Sequence, residues 1–277
     1  LKTSDAGASW VPKSIGTTQS LISIDFVNDS VGFISDINSK ILRTTDIGEN
    51  WIVRHIDIDI FIPRIDFLNE MTGYVVGYRS GSIGVIAKTN DGGLTWTQQY
   101  LNNSRQLIDV SFFNDSVGII VGNFGIILKT TNSGNNWFTQ NSGTLKNLRG
   151  IDFPDENTGY LTGDSGIFIK TTNKGASWTS IVMDQNLVRS LVDCYFWSAD
   201  SGIVVGGYNT SSYSNGYAVV LITYNGGATW QRVFISNRSG EWCWKISFVS
   251  RQIGYVSIER HSGFSYFLKT TNGGQNW

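Results

Sequence analysis

The chain has 277 residues, 40% of them hydrophobic, with 21 basic and 22 acidic side chains and a formal charge of −1. That length buries a core as one large domain or two ordinary ones. The near-zero charge removes a global electrostatic case for binding nucleic acid, and no apolar run approaches the roughly 18 residues of a membrane span. Charged residues make up only 16%, so Asn, Ser, Thr and Gly must supply the polar surface.

Three prolines against 31 glycines, with β-branched and aromatic runs throughout, predict strands joined by tight turns. Leu1-Lys2-Thr3 reads as the interior of a repeat unit, and the first complete motif is the box from Thr3 to Trp10. The same eight-residue box returns as Thr44 to Trp51, Thr89 to Trp96, Thr130 to Trp137, Thr171 to Trp178, Thr223 to Trp230 and Thr270 to Trp277. Thr is always first, Gly fifth and Trp eighth, and the Trp-to-Trp spacings are 41, 45, 41, 41, 52 and 47. Between boxes, Phe26, Phe67, Phe112, Phe153, Phe196 and Phe248 are each followed six residues later by a glycine. An apolar run follows each of these glycines, another ends at each box, and a fourth starts at the box Trp.

Four short strands per unit predict the blades of a β-propeller, with sets of strands one to three at 21–51, 62–96, 107–137, 148–178, 191–230 and 244–277. A single blade cannot bury both faces, so neighbouring blades supply the core. Seven boxes favour a seven-bladed parent, of which this chain holds six near-complete blades and a half blade. The expectation is one propeller domain over residues 1–277, a fragment with truncated first and last blades. A six-bladed closure is the alternative.

The third box position holds Asp5, Asp46 and Asp91, then Asn132, Asn173, Asn225 and Asn272. A turn acceptor keeps its oxygen when Asp becomes Asn, whereas a catalytic or metal-binding carboxylate loses its role. All seven are therefore read as structural braces. Their partners Trp10, Trp51, Trp96, Trp137, Trp178, Trp230 and Trp277 are read as anchors locking each hairpin to its blade. No metal site and no cofactor are expected.

The pattern Ser/Thr-x-Asp-x-Gly-x-Thr-Trp resembles the Asp-box, or bacterial neuraminidase repeat. With the Phe-to-Gly element, the whole chain resembles the photosystem II stability and assembly-factor-like propellers. Leu148 to Phe153 and Gly163-Asp164-Ser165-Gly166 fit that pattern best. The resemblance implies a propeller that binds protein partners without catalysing a reaction. Similar repeats in secreted bacterial proteins, together with low Lys content, place the chain outside the cytoplasm, secreted or periplasmic.

The face opposite the box turns carries the loops from strand two to strand three and the approaches to each first strand. Loops on a rigid scaffold hold function. Arg64, Arg105, Lys146, Arg149, Arg189 and Lys245 cluster near the first strands, with Tyr78 and Arg79 in a neighbouring loop. A basic rim would receive an acidic protein or peptide; solvated loop charge is the alternative. The insertion around Tyr208 and Tyr213 has the Tyr/Ser/Gly/Asn composition of adaptable binding loops, or is a tolerated hairpin extension. Trp242 and Trp244 would stack on a sugar or a peptide side chain, or fill the space between blades.

The rival function is a carbohydrate-active module, sialidase-like or glycan-binding. Phe61-Ile62-Pro63-Arg64 holds the residue types of the sialidase arginine motif in the wrong order. Asp36, Asp164 and Glu259 are candidate glycosidase carboxylates, but the sequence pairs none of them. Two histidines, His55 and His261, give no nucleophile context. Cys194 and Cys243 are expected to be buried free thiols.

Overall fold

The computed structural model describes residues 1–102, 105–181, 183–184, 186–208 and 215–277. The fold is all-β, with short helical turns at Asn123–Gly125 and Asp164–Gly166. Its strands form six antiparallel sheets in sequential order, five of four strands and a last one of three. Sheet one is β1 (Leu21–Phe26), β2 (Gly32–Asp36), β3 (Lys40–Thr44) and β4 (Ile52–His55). Sheet two is β5 (Phe61–Phe67), β6 (Gly73–Arg79), β7 (Ile83–Thr89) and β8 (Thr97–Asn102). Sheet three is β9 (Leu107–Phe112), β10 (Gly118–Gly122), β11 (Ile127–Thr130) and β12 (Phe138–Gln140). Sheet four is β13 (Leu148–Asp152), β14 (Gly159–Gly163), β15 (Ile167–Thr171) and β16 (Thr179–Ile181). Sheet five is β17 (Ser190–Phe196), β18 (Gly202–Tyr208), β19 (Tyr217–Thr223) and β20 (Gln231–Ile235). Sheet six is β21 (Glu241–Phe248), β22 (Gly254–Arg260) and β23 (Tyr266–Thr270). These are propeller blades, and the six predicted strand sets fall on them with starts shifted by at most three residues. Ahead of β1 the chain forms a single antiparallel bridge between Lys2 and Val11.

Contacts divide the chain into two compact units, residues 1–118 with 130–137, and residues 119–129 with 138–277. The first unit centres on Phe33, Ile62, Phe67, Val75 and Val85, all buried. The second has two clusters, one around Tyr160, Phe168 and Leu191 and one around Val205, Val220 and Cys243. Central strands such as β10 are buried at every residue, which explains why they read as unbroken apolar runs.

Side-chain oxygens close the box turns. At the third position Oδ1 accepts the amide of the seventh residue at 2.9–3.0 Å, whether the donor faces Asp46, Asp91, Asn132, Asn173, Asn225 or Asn272. The Thr hydroxyl donates to that same oxygen and accepts the amide of the fifth residue, as Thr89 does from Gly93 at 2.9 Å. Gly93 needs its freedom, with φ +86°. The fourth position is left-handed as well, held by Ala6, Ile47, Ser133 and Lys174 in four boxes; sequence reasoning missed this. Box turns bond to the turn between strands one and two of their own sheet, for example Lys174 N to Asn157 O at 3.0 Å. The opposite end ties the loop between strands two and three to the approach to strand one, as in Asp164 N to Asn147 O at 2.9 Å.

Each Phe of the second motif packs edge-on against its own box Trp, with centroids at 6.2 Å for Phe26–Trp51, 5.9 Å for Phe112–Trp137 and 6.1 Å for Phe248–Trp277. The glycine six residues on lies under the Phe ring, so a Cβ on Gly118 would come within 2.6 Å of Phe112. The residue after the glycine reaches the next blade, Phe33 stacking on Phe67 at 3.5 Å and Tyr160 on Phe196 at 3.6 Å. The anchoring indoles are half-buried rather than enclosed, and Trp10 is 39% exposed.

Candidate functional site

Three of the predicted basic residues, Arg64, Arg149 and Lys245, lie within first strands, and local register decides what each side chain meets. In the first unit, a register shift between Phe61 and Arg64 re-aims β5. Arg64 Nε then donates to the buried Asp109 at 2.8 Å. Two further carboxylates lie nearby. Asp25 accepts the Phe67 amide at 2.7 Å, and Asp66 accepts the Phe112 amide at 2.8 Å, so each ties its own blade to the next. Burial pushes both carboxyls up, and Asp25's charge adds to the effect on Asp66, which reaches about 7.

At the loop end of the same unit Phe61 lies opposite Tyr78 in the β5–β6 ladder, their rings 5.2 Å apart. They border a groove of about 660 Å³ that also takes in Asn38, Asp59, Arg79 and Gln106. Arg79 is half-buried at the end of β6. Asp36 is not in this groove as a free acid: it is buried, accepting from the Asn38 and Lys40 amides at 2.9 and 3.0 Å. It braces a turn.

In the second unit Arg149 makes a two-pronged ion pair with Asp164, one contact at 3.1 Å. Asn147 donates to the same carboxylate at 2.8 Å and Ser190 at 3.3 Å. Burial alone would push the Asp164 carboxyl up, yet the Arg149 guanidinium and these donors hold it below the ordinary value. Lys245 pairs with the buried Asp193 at 3.5 Å. Arg64, Arg149 and Lys245 are thus neutralised at short range. Arg189 is exposed just before β17, Arg105 is half-buried just before β9, and Lys146 is exposed before β13. Tyr208 lies under the Arg232 guanidinium, 5.2 Å from its ring centre. Tyr213 lies outside the described residues.

Trp242 and Trp244 lie within β21 and border a cavity of about 250 Å³ with Gly240, Glu259 and His261. Cys194 and Cys243 are both buried, and burial pushes the Cys243 thiol far up. Among the described residues no group of three or more His, Cys, Asp or Glu is placed to hold a metal ion. No helix among them is long and apolar enough to cross a membrane.

Sequence reasoning missed the Asp25, Asp66 and Asp152 links between blades. A signal existed. Each immediately precedes a motif Phe, and Asp152 likewise accepts the Phe196 amide at 2.5 Å. Arg64, Asp109, Asp193 and Lys245 all sit three residues before a motif Phe, with opposite charges in adjacent repeats.

Six sheets, braced turns and linked first strands define a repeat β-propeller. The chain is similar to the photosystem II assembly-factor-like propellers: a family model described as Photosynthesis system II assembly factor YCF48 matches residues 55–142 and 94–190. A structure described as YCF48 bound to D1 peptide is similar at 17% identity and TM-score 0.59, with 93% of each chain covered. YCF48 from Cyanidioschyzon merolae is similar at 19% identity and TM-score 0.61, covering 95% of this chain and 99% of that one. The GH74 xyloglucanase from Xanthomonas campestris reaches TM-score 0.74 at 10% identity, covering 97% of this chain but 46% of that one. At these identities the likeness to solved structures is one of fold. A search of curated protein sequences found no match.

Proposed function

We propose that this chain is a non-catalytic scaffold that binds a peptide segment of a protein partner at the loop ends of its blades. The observation that supports this most is the family match, joined to a similar fold in a relative described as bound to a peptide. The groove beside Phe61, Tyr78 and Arg79 suits such a ligand, offering an aromatic wall, amide groups and a cation to an extended chain. An acidic residue in the peptide would meet Arg79. The low Lys content fits action outside the cytoplasm.

The hydrolase alternative is less well supported. Asp36 is committed to turn amides and Asp164 to Arg149, whereas a glycosidase needs two carboxylates facing one bond about 5–10 Å apart.

Pull-down from an extract of the source cells tests the proposal, using the intact chain against Arg79→Glu and Tyr78→Ala. Partner recovery should fall about tenfold or more in Arg79→Glu, a change of about 1.4 kcal/mol, with the circular dichroism unchanged. Equal recovery from all three proteins would refute the groove as the peptide site.

A further inference from the structure

Strand alternation places Glu241 and Cys243 on one side of β21 and Trp242 on the other. The β21–β22 register pairs Trp242 directly with Glu259. His261, two residues beyond Glu259, donates its backbone amide to Gly240 O at 2.8 Å. Gly240, Trp242, Trp244, Glu259 and His261 line the cavity of about 250 Å³. Its position is held firmly: Trp242 packs so closely over Gly207 that a Cβ there would lie 2.7 Å from the ring.

The charges around it are unequal. Arg260, the adjacent base, is taken by buried Glu241 at 3.7 Å, and Glu241 also accepts the Tyr266 hydroxyl at 2.9 Å. Glu259 is exposed and makes no ion pair with a described residue. A carboxylate beside two indoles attracts a cation, because the ring faces add their quadrupole to its charge. The volume is below the roughly 300 Å³ at which small-molecule sites begin, which suits one long side chain. Trp242 is only 5% exposed, so it offers a wall but not the open platform on which a sugar ring stacks.

We propose that this pocket receives the cationic end of a lysine or arginine side chain on a partner polypeptide. It rests on the peptide-binding reading only in assigning the cation to a polypeptide, and probe peptides test it apart from capture of the natural partner.

The experiment uses the whole chain labelled with ¹⁵N-tryptophan, its indole signals assigned through Trp242→Phe and Trp244→Phe. The probes are capped Gly-Ser-X-Ser-Gly peptides with X as lysine, arginine or norleucine, and cellobiose. The lysine or arginine peptide should shift the Trp242 and Trp244 signals saturably, and whichever binds better identifies the cation. Norleucine should bind at least about fivefold more weakly, and Glu259→Gln should weaken the cationic probe by about threefold to tenfold. Norleucine binding as tightly as lysine and arginine would overturn the proposal. So would indifference to Glu259→Gln, no shift with either cationic probe, or cellobiose alone moving these signals.

Discussion

At the third box position Asp91 and Asn132 offer the chain the same atom, Oδ1 accepting a backbone amide at 2.9 and 3.0 Å. Stability at neutral pH should therefore change by less than about 0.5 kcal/mol in Asp91→Asn, and fall by about 1 kcal/mol in Asp91→Ala, where the amide loses its acceptor. The two differ in acid. Desolvation is the largest single influence and pushes the carboxyl up, but the Thr95 hydroxyl and amide and the Thr89 hydroxyl together outweigh it and hold Asp91 down to about 2. Its contribution is present above the unfolded value near 4 and is lost as pH falls toward about 2. Urea titrations between pH 2 and 5 should show a shallower slope for Asp91→Asn; a slope equal to the parent's would contradict the assignment. Asp66 works in the opposite sense. Its carboxyl is raised to about 7 in the folded chain, so its contribution is greatest below about 4 and is lost as pH rises to about 7. An amide at that position can still accept from Phe112 without carrying charge. Asp66→Asn should flatten the stability profile from pH 4 to 7 and exceed the parent above pH 7. A variant less stable than the parent at pH 8 would show that the charge itself holds the blades together.

Within one blade, the box and the Phe-to-Gly spacing are two ends of a single contact. Box chemistry was legible because it is local: Thr, Asx and Gly meet within eight residues, and the repeated Asp-to-Asn exchange exposes the role of the oxygen. The Phe-to-Gly spacing was legible as a pattern but not as a mechanism. Its reason lies in antiparallel register, which sets Gly254 opposite Phe248 and lets the ring lie over the missing side chain. A Cβ on Gly254 would stand 2.5 Å from the buried Phe248. Gly254→Ala should accordingly cost about 1–3 kcal/mol by overpacking. In the same strand position Gly→Ala would be slightly favourable on backbone entropy alone. Thermal denaturation decides between them, and a midpoint at or above the parent's would refute the contact. The basic residues show the limit of spacing arguments. Arg64 and Arg149 looked like rim cations because their counter-charges, Asp109 and Asp164, approach only after adjacent strands align. Repeat alignment at the position three before the motif Phe would have revealed the first of these pairs. Arg149 sits one residue further back, within the register shift between Leu148 and Gly150, so the same alignment does not reveal its pairing with Asp164.

Across the molecule, stability is assembled from interfaces between consecutive blades, and three of these carry an aromatic stack, Phe33 on Phe67, Tyr74 on Phe112 and Tyr160 on Phe196. Phe33 on Phe67 is nearly parallel, 3.5 Å apart with planes 3° from coplanar, and Tyr160 on Phe196 repeats the arrangement at 3.6 Å and 12°. The first stack lies in one compact unit and the second in the other. In repeat architectures stability is close to a sum of unit and nearest-neighbour terms, so coupling should be confined to an interface. Tyr160→Leu and Phe196→Leu should each destabilise by about 1–2 kcal/mol, and their double variant should show a coupling of about 0.5–1.5 kcal/mol because both remove the same stack. Phe33→Leu combined with Tyr160→Leu should be additive within about 0.5 kcal/mol. Urea denaturation followed by far-UV circular dichroism, with slopes compared across the set, measures both quantities. Coupling between Phe33 and Tyr160 as large as that between Tyr160 and Phe196 would mean that blades respond collectively, and the nearest-neighbour account of this propeller would fail.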